Sequence, residues 1–144
     1  MIRNKYFFYF LSFTWGLPLT LVGCLIALAL IITKHKPKKW GYCYYFEVGK
    51  NWGGLELGPI FIVGKNASVH TKDHEHGHAF HNCWFGPLMP FVISLPSAIR
   101  YWHRELVYYR KHKKPNTKYD DVWFEGTASS LGKDFMKWYE NNTK

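Results

Sequence analysis

An α+β membrane protein is the fold class this sequence predicts, on three observations. Tyr6 to Thr33 contains no charged residue. Residues 42 to 63 are rich in Tyr, Phe, Val and Ile on either side of a glycine-bearing stretch, which is the pattern of paired strands. Two later stretches, His74 to Phe85 and one beginning near Asp120, have the capping residues and spacing of helices. The 144 residues amount to one domain's worth of chain. We divide them into residues 1–39, a transmembrane anchor with its basic flank, and residues 40–144, a small domain that includes a second apolar segment at 83–102.

The first element expected is an N-terminal transmembrane helix over Tyr6 to Thr33. At 1.5 Å per residue this run is long enough to cross a hydrocarbon core of about 30 Å. A cleaved signal peptide would have a shorter apolar core and a small-residue cleavage site. Here the run ends instead in Lys34-His35-Lys36-Pro37-Lys38-Lys39. Gly16-Leu17-Pro18 is placed to kink the helix. A β-hairpin follows, with strands over Tyr42 to Val48 and Leu55 to Val63 joined through Gly49 to Gly54. Pro59 has no amide donor, so its strand should lie at an edge or be irregular there. Such an edge can hold a peptide as an added strand.

A helix from about His74 to Phe85 should be capped by Thr71 or Asp73 and stopped by Gly86-Pro87. The proline-broken apolar segment Leu88 to Ile99 comes next, near the lower length limit for a span. It either spans or re-enters, and re-entry fits better the basic stretch Arg100 to Lys118 that follows it. A C-terminal helix capped by Asp120 or Asp121 completes the chain, with Val122, Phe124, Leu131, Phe135 and Trp138 as its apolar positions.

The net charge of +9 is concentrated beside the apolar segments, which points to anionic lipid headgroups and away from nucleic acid. Positive charge after Lys34 puts the following region on the cytoplasmic side of a membrane, expected to be a bacterial inner membrane. Aromatic residues make up 19% of the chain and cluster where it would leave a bilayer. Cys24, Cys43 and Cys83 share no short spacing, so no disulfide framework is expected and each reads as a small apolar filler.

The chemistry is concentrated in His74-Glu75-His76-Gly77-His78, which contains His-Glu-x-x-His. On a helix, positions 74 and 78 share one face and can hold one metal ion between two imidazoles. Zinc suits such ligands, needing a third from the protein and leaving a fourth position for water. Glu75 would then take the proton of that water. Five of the eight histidines fall between His70 and His81, so a His-rich tract that binds metal without catalysis is the competing reading. Glu125 is the chosen third ligand among the downstream acids, because Ala128, one turn on, is small enough for the two helices to approach closely. His81, one turn beyond His78, is the alternative. The longer pattern with a third histidine fails, since His81 stands where it needs glycine and Trp84 where it needs histidine.

With Glu125-x-x-Ala128 after His74-Glu75-x-x-His78, the chain resembles the gluzincin zinc metallopeptidases. The membrane-embedded HtpX-like and CAAX prenyl protease group is similar in organisation. A closer likeness is to small uncharacterised bacterial membrane proteins with a His-Glu-x-Gly-His helix, through Gly86-Pro87-Leu88, Leu95-Pro96-Ser97 and Phe124-Glu125-Gly126-Thr127-Ala128. The gluzincin resemblance implies a membrane-anchored Zn²⁺ peptidase acting on a peptide or membrane-protein substrate. It also assigns His74, His78 and Glu125 to the metal and Glu75 to catalysis. Ser129 departs from the HtpX-like pattern, which has aspartate directly after the alanine. The rival expectation is a non-catalytic membrane protein with a structural metal site or a scaffold role at a lipid surface.

Overall fold

The computed structural model describes residues 1–50, 52–111 and 118–143. Residues 112–117 of the expected basic stretch and Asn51 of the expected turn lie outside the described residues. The long apolar run forms two helices, α1 (Lys5–Phe13) and α2 (Leu17–Ile32), bent by 94° at the break between them. The expected transmembrane helix over Tyr6 to Thr33 is thereby overturned: among the described residues, no single helix is long and apolar enough to cross a membrane. Gly16 and Pro18 account for the break. Pro18 sits in the first turn of α2, where its missing N–H costs no helical hydrogen bond. The Gly16 N–H turns back to the Leu11 carbonyl at 2.8 Å, and a side chain at Gly16 would strike Asn82. Asn82 Nδ2 donates to the Gly16 carbonyl, at 3.4 Å, and so ties the corner to the rest of the fold.

Four strands follow: β1 (Lys38–Trp40), β2 (Cys43–Lys50), β3 (Gly54–Leu57) and β4 (Ile60–Lys65). Their order in the sheet is β1-β2-β4-β3. The expected two-strand hairpin is also corrected. Leu55 to Val63 is itself a hairpin, β3 antiparallel to β4, turning at Gly58-Pro59 with Gly58 at φ +76°. β2 pairs with β4 in parallel, Tyr44 opposite Ile60 and Glu47 opposite Val63, while β1 folds back on β2. Pro59 needs no donor because it sits in the turn, where its carbonyl accepts from the Tyr44 N–H. β4 is central and buried on both faces, as its unbroken Phe61-Ile62-Val63 run requires. Phe61 and Val63 join a core with Phe8, Phe80 and Phe135, whereas Ile62 joins another with Leu19, Leu57 and Met89.

Glu56 on β3 is buried and accepts a hydrogen bond from the Gly58 N–H. Burial lifts its carboxyl well above the usual range, and the nearby Glu75 adds to the effect. The unfolded chain ionises this group above about pH 4.3, so its burial costs stability as pH rises from there toward the folded value. Glu56→Gln keeps the acceptor and removes the cost. Calorimetry should find the variant melting above the parent at about pH 8 and level with it near pH 4; an equal gain at both would contradict this account.

Helix α3 (Val69–Phe85) crosses the centre of the molecule, with every residue from Asp73 to Cys83 buried. It begins earlier than expected: Ser68 is the cap, its hydroxyl accepting from the Thr71 N–H at 3.1 Å. After Phe85 come a short 3₁₀ turn (Gly86–Leu88), a π turn (Pro90–Ser94) and α4 (Leu95–Lys111). The second apolar segment is thus the start of a mixed helix that turns basic, and α4 is not apolar enough to be a span. A 3₁₀ turn at Tyr119–Asp121 leads into α5 (Trp123–Asn142). Asp121 accepts from the Lys118 N–H and caps that turn; α5 itself starts from Val122 with no side-chain cap.

Helices α3 and α5 pack at near backbone contact. A Cβ added to Gly77 would lie 1.9 Å from the Ala128 carbonyl oxygen, and one at Gly132 would lie 1.7 Å from that of Asp73. Glycine is a poor former of helix interiors, yet Gly132 stands in the middle of α5. Its lack of a side chain is what lets the two helices meet.

Candidate metal centre

That close approach brings Glu125, on the first turn of α5, against the buried face of α3. One carboxylate oxygen, Oε2, lies 3.0 Å from His74 Nε2 and 3.2 Å from His78 Nε2, and the two nitrogens are 3.1 Å apart. The three expected ligands are therefore assembled by the fold, all buried, and together they can hold a metal ion. The size is right. A point 2.0 to 2.1 Å from all three atoms exists about 1 Å off their plane, with angles near 100° between ligands, close to tetrahedral.

The hydrogen bonds behind the ligands determine which nitrogen of His78 carries its proton. Thr127 Oγ1 donates to the Trp123 carbonyl at 2.7 Å, so toward His81 Nε2, at 3.1 Å, it must accept. His81 then holds its proton on Nε2 and offers Nδ1 as acceptor to His78 Nδ1, at 3.2 Å. His78 is left with its Nε2 lone pair aimed at Glu125 and His74, as a metal ligand requires. Ser129 Oγ meets His74 Nδ1 at 2.8 Å and can fix that ring in the same way. Ser129 offers a hydroxyl, so the partner behind His74 is uncharged. His81, the alternative third ligand, stands behind His78 and not beside Glu125. His81→Leu and Ser129→Ala should each weaken metal binding by about 10- to 100-fold. A competition titration against a chromophoric chelator reads this directly, and unchanged affinity would deny both residues the positioning role.

The electrostatics fit a site meant for a cation. Burial opposes ionisation of Glu125, but the adjoining His74 and His78 rings outweigh it and hold the carboxyl well below its usual range. Burial likewise disfavours a proton on His74; its hydrogen bond to Glu125 and the charges of Glu75, Glu125 and Asp120 reverse this and raise it. In His78 burial prevails, with the neighbouring His74 adding to it, and the shift is downward. Glu75 is buried and lifted to about 7, chiefly by burial. Its carboxylate lies against Gly54 of β3, where a Cβ would come within 2.4 Å of Oε1. Sequence reasoning missed this glycine, since a Gly-Gly pair reads simply as a turn.

The other histidines are accounted for separately. His76 points away from the cluster into the core, stacked on Phe135 at 4.5 Å, with Nε2 accepting from the Tyr42 N–H. Burial lowers it to about 3 and keeps it neutral. His70 is exposed and faces Asp120 at 3.6 Å. His103 is exposed on α4 and does not line the site. Tyr119 does: its ring centre is 6.1 Å from that of His74, and its hydroxyl is 3.1 Å from Ser97 Oγ, beside the Glu125 carboxylate. Ser97 belongs to the Leu95-Pro96-Ser97 stretch, but no spacing in the sequence relates that stretch to Glu125.

A cavity of about 560 Å³ opens above the cluster. Its floor carries His74, Glu75 and His78, one wall is β3 from Gly54 to Glu56 with Trp52, and the other is Met89, Ile93 and the inner side of α4. The lining is mainly apolar, as in most sites that take organic ligands. Of the expected cysteine roles, filler holds for Cys43 and Cys83, which are buried and free, while Cys24 is half-buried. Comparison with protein-family models, with characterised proteins and with solved structures finds no match to this chain.

Proposed function

We propose that the chain is a zinc-dependent peptidase of the gluzincin kind, hydrolysing peptide bonds in the cavity above His74, His78 and Glu125. The observation that carries this reading is the meeting of those three ligand atoms, 3.0 to 3.2 Å apart, with Glu75 on the same cavity floor. A zinc ion at such a site acidifies bound water and polarises a carbonyl. Glu75 is suited to take the water's proton and pass it to the leaving amine, since burial brings its carboxyl to about 7. Tyr119 and Ser97 supply hydroxyls beside the Glu125 carboxylate. β3 is an edge strand and lines the cavity, so an extended peptide can add to it while apolar side chains enter toward Met89 and Ile93.

The purified full chain, loaded with zinc and given a library of unstructured peptides, should cleave beside large apolar residues. Removal of zinc by chelation should stop cleavage, and zinc added back should restore it. Hydrolysis that survives chelation would defeat the proposal.

A further inference from the structure

Besides the exposed Tyr6, Phe10 and Phe13 of α1, helices α2 and α4 each present a longer apolar stripe to the outside. On α2 the stripe is Leu21, Leu25, Leu28 and Ile32; on α4 it is Leu95, Ile99, Trp102 and Leu106. Both follow the spacing 4, 3, 4, which keeps side chains on one helix face. Each of these eight residues is more than half exposed, Ile32 at 72% and Trp102 at 64%. Stripes of this length seldom face water unless something covers them. From these exposed stripes and the charge around them, we infer that this chain docks on an anionic lipid surface through α2 and α4.

The charge pattern selects lipid over a second copy. α2 is followed by the exposed Lys34, Lys36 and Lys39, and the chain as a whole carries +9. Two copies facing each other would bring like-charged flanks together, and α2 has no charged residue that could pair across such a contact. Anionic headgroups instead meet the lysines while the stripe enters the acyl boundary. α2, 16 residues long, extends only about 24 Å, which suits lying in one leaflet. Docking has a consequence for the cavity. Trp102 both belongs to the α4 stripe and lines the cavity rim, so the rim comes to the lipid surface. If the hydrolytic reading holds, the substrate is an apolar polypeptide segment presented from that surface.

Flotation of the full chain with vesicles tests the docking independently of zinc and hydrolysis. The chain should float with phosphatidylcholine vesicles containing phosphatidylglycerol and bind pure phosphatidylcholine at least about tenfold more weakly. Leu25→Glu and Ile99→Glu should each lower binding to the anionic vesicles by at least about tenfold, with zinc content and circular dichroism unchanged. Reversing Lys34, Lys36 and Lys39 to Glu should abolish the preference for anionic lipid. Flotation retained by the leucine and isoleucine variants would overturn the inference. So would a stable dimer in the absence of lipid that Leu25→Glu dissociates, because the stripe would then belong to a second copy.

Discussion

Glu75→Gln should leave one zinc bound per chain and lower peptide hydrolysis by at least about a hundredfold, the scale of a lost general base. The two side chains are nearly the same size, so the packing against Gly54 of β3 is kept and the fold is undisturbed. None of the three ligand atoms belongs to residue 75, so metal affinity should change little. The amide cannot accept the proton that Glu75 would carry to the leaving amine. The assay is a comparison of kcat between parent and variant at equal zinc content. Equal rates would remove Glu75 from the mechanism, and lost zinc would mean the carboxylate serves as a ligand.

Gly132→Val should have the largest effect on the fold. At Gly132 even the first side-chain carbon would come within 1.7 Å of the Asp73 carbonyl oxygen, which is backbone and cannot rotate aside. α5 must then separate from α3, and overpacking of this kind costs about 3 kcal/mol or more. Denaturant unfolding should show that loss. The separation also withdraws Glu125 from His74 and His78, so zinc affinity should fall in the same variant although no ligand is altered. An unchanged unfolding midpoint would contradict the close packing of α3 on α5.

How much could be read in advance differed from element to element. His74 and His78 are one helical turn apart, and Glu125 with Ala128 marks a helix able to approach; those relations are local, and the fold assembles them as the spacing implies. The burial of α3 was hidden, because a helix with polar residues on every side shows no apolar stripe; several of its polar groups meet partners far away in sequence, Ser129, Thr127 and Gly16 among them. The place of the break was legible in Gly16-Leu17-Pro18, but its size was not: hydropathy from Tyr6 to Thr33 is the same for one kinked helix as for two meeting at 94°, and the contact of Gly16 with Asn82 depends on residues far away in sequence. The parallel pairing of β2 with β4 could not be distinguished locally from a simple hairpin, since both present apolar strands around a glycine-rich stretch. His81 was weighed as a ligand because i+3 spacing from His78 fits either role; its bond to Thr127 turns it into a support.

Zinc content and X-ray absorption at the zinc edge, measured on the parent chain and on Glu125→Ala, decide whether His74, His78 and Glu125 together hold one ion. The account predicts one zinc per parent chain, ligated by two imidazole nitrogens and carboxylate oxygen at about 2.0 to 2.1 Å, and affinity lowered more than about 100-fold in the variant. Several loosely held ions, or a single ion whose ligands and affinity are the same in both proteins, would contradict it.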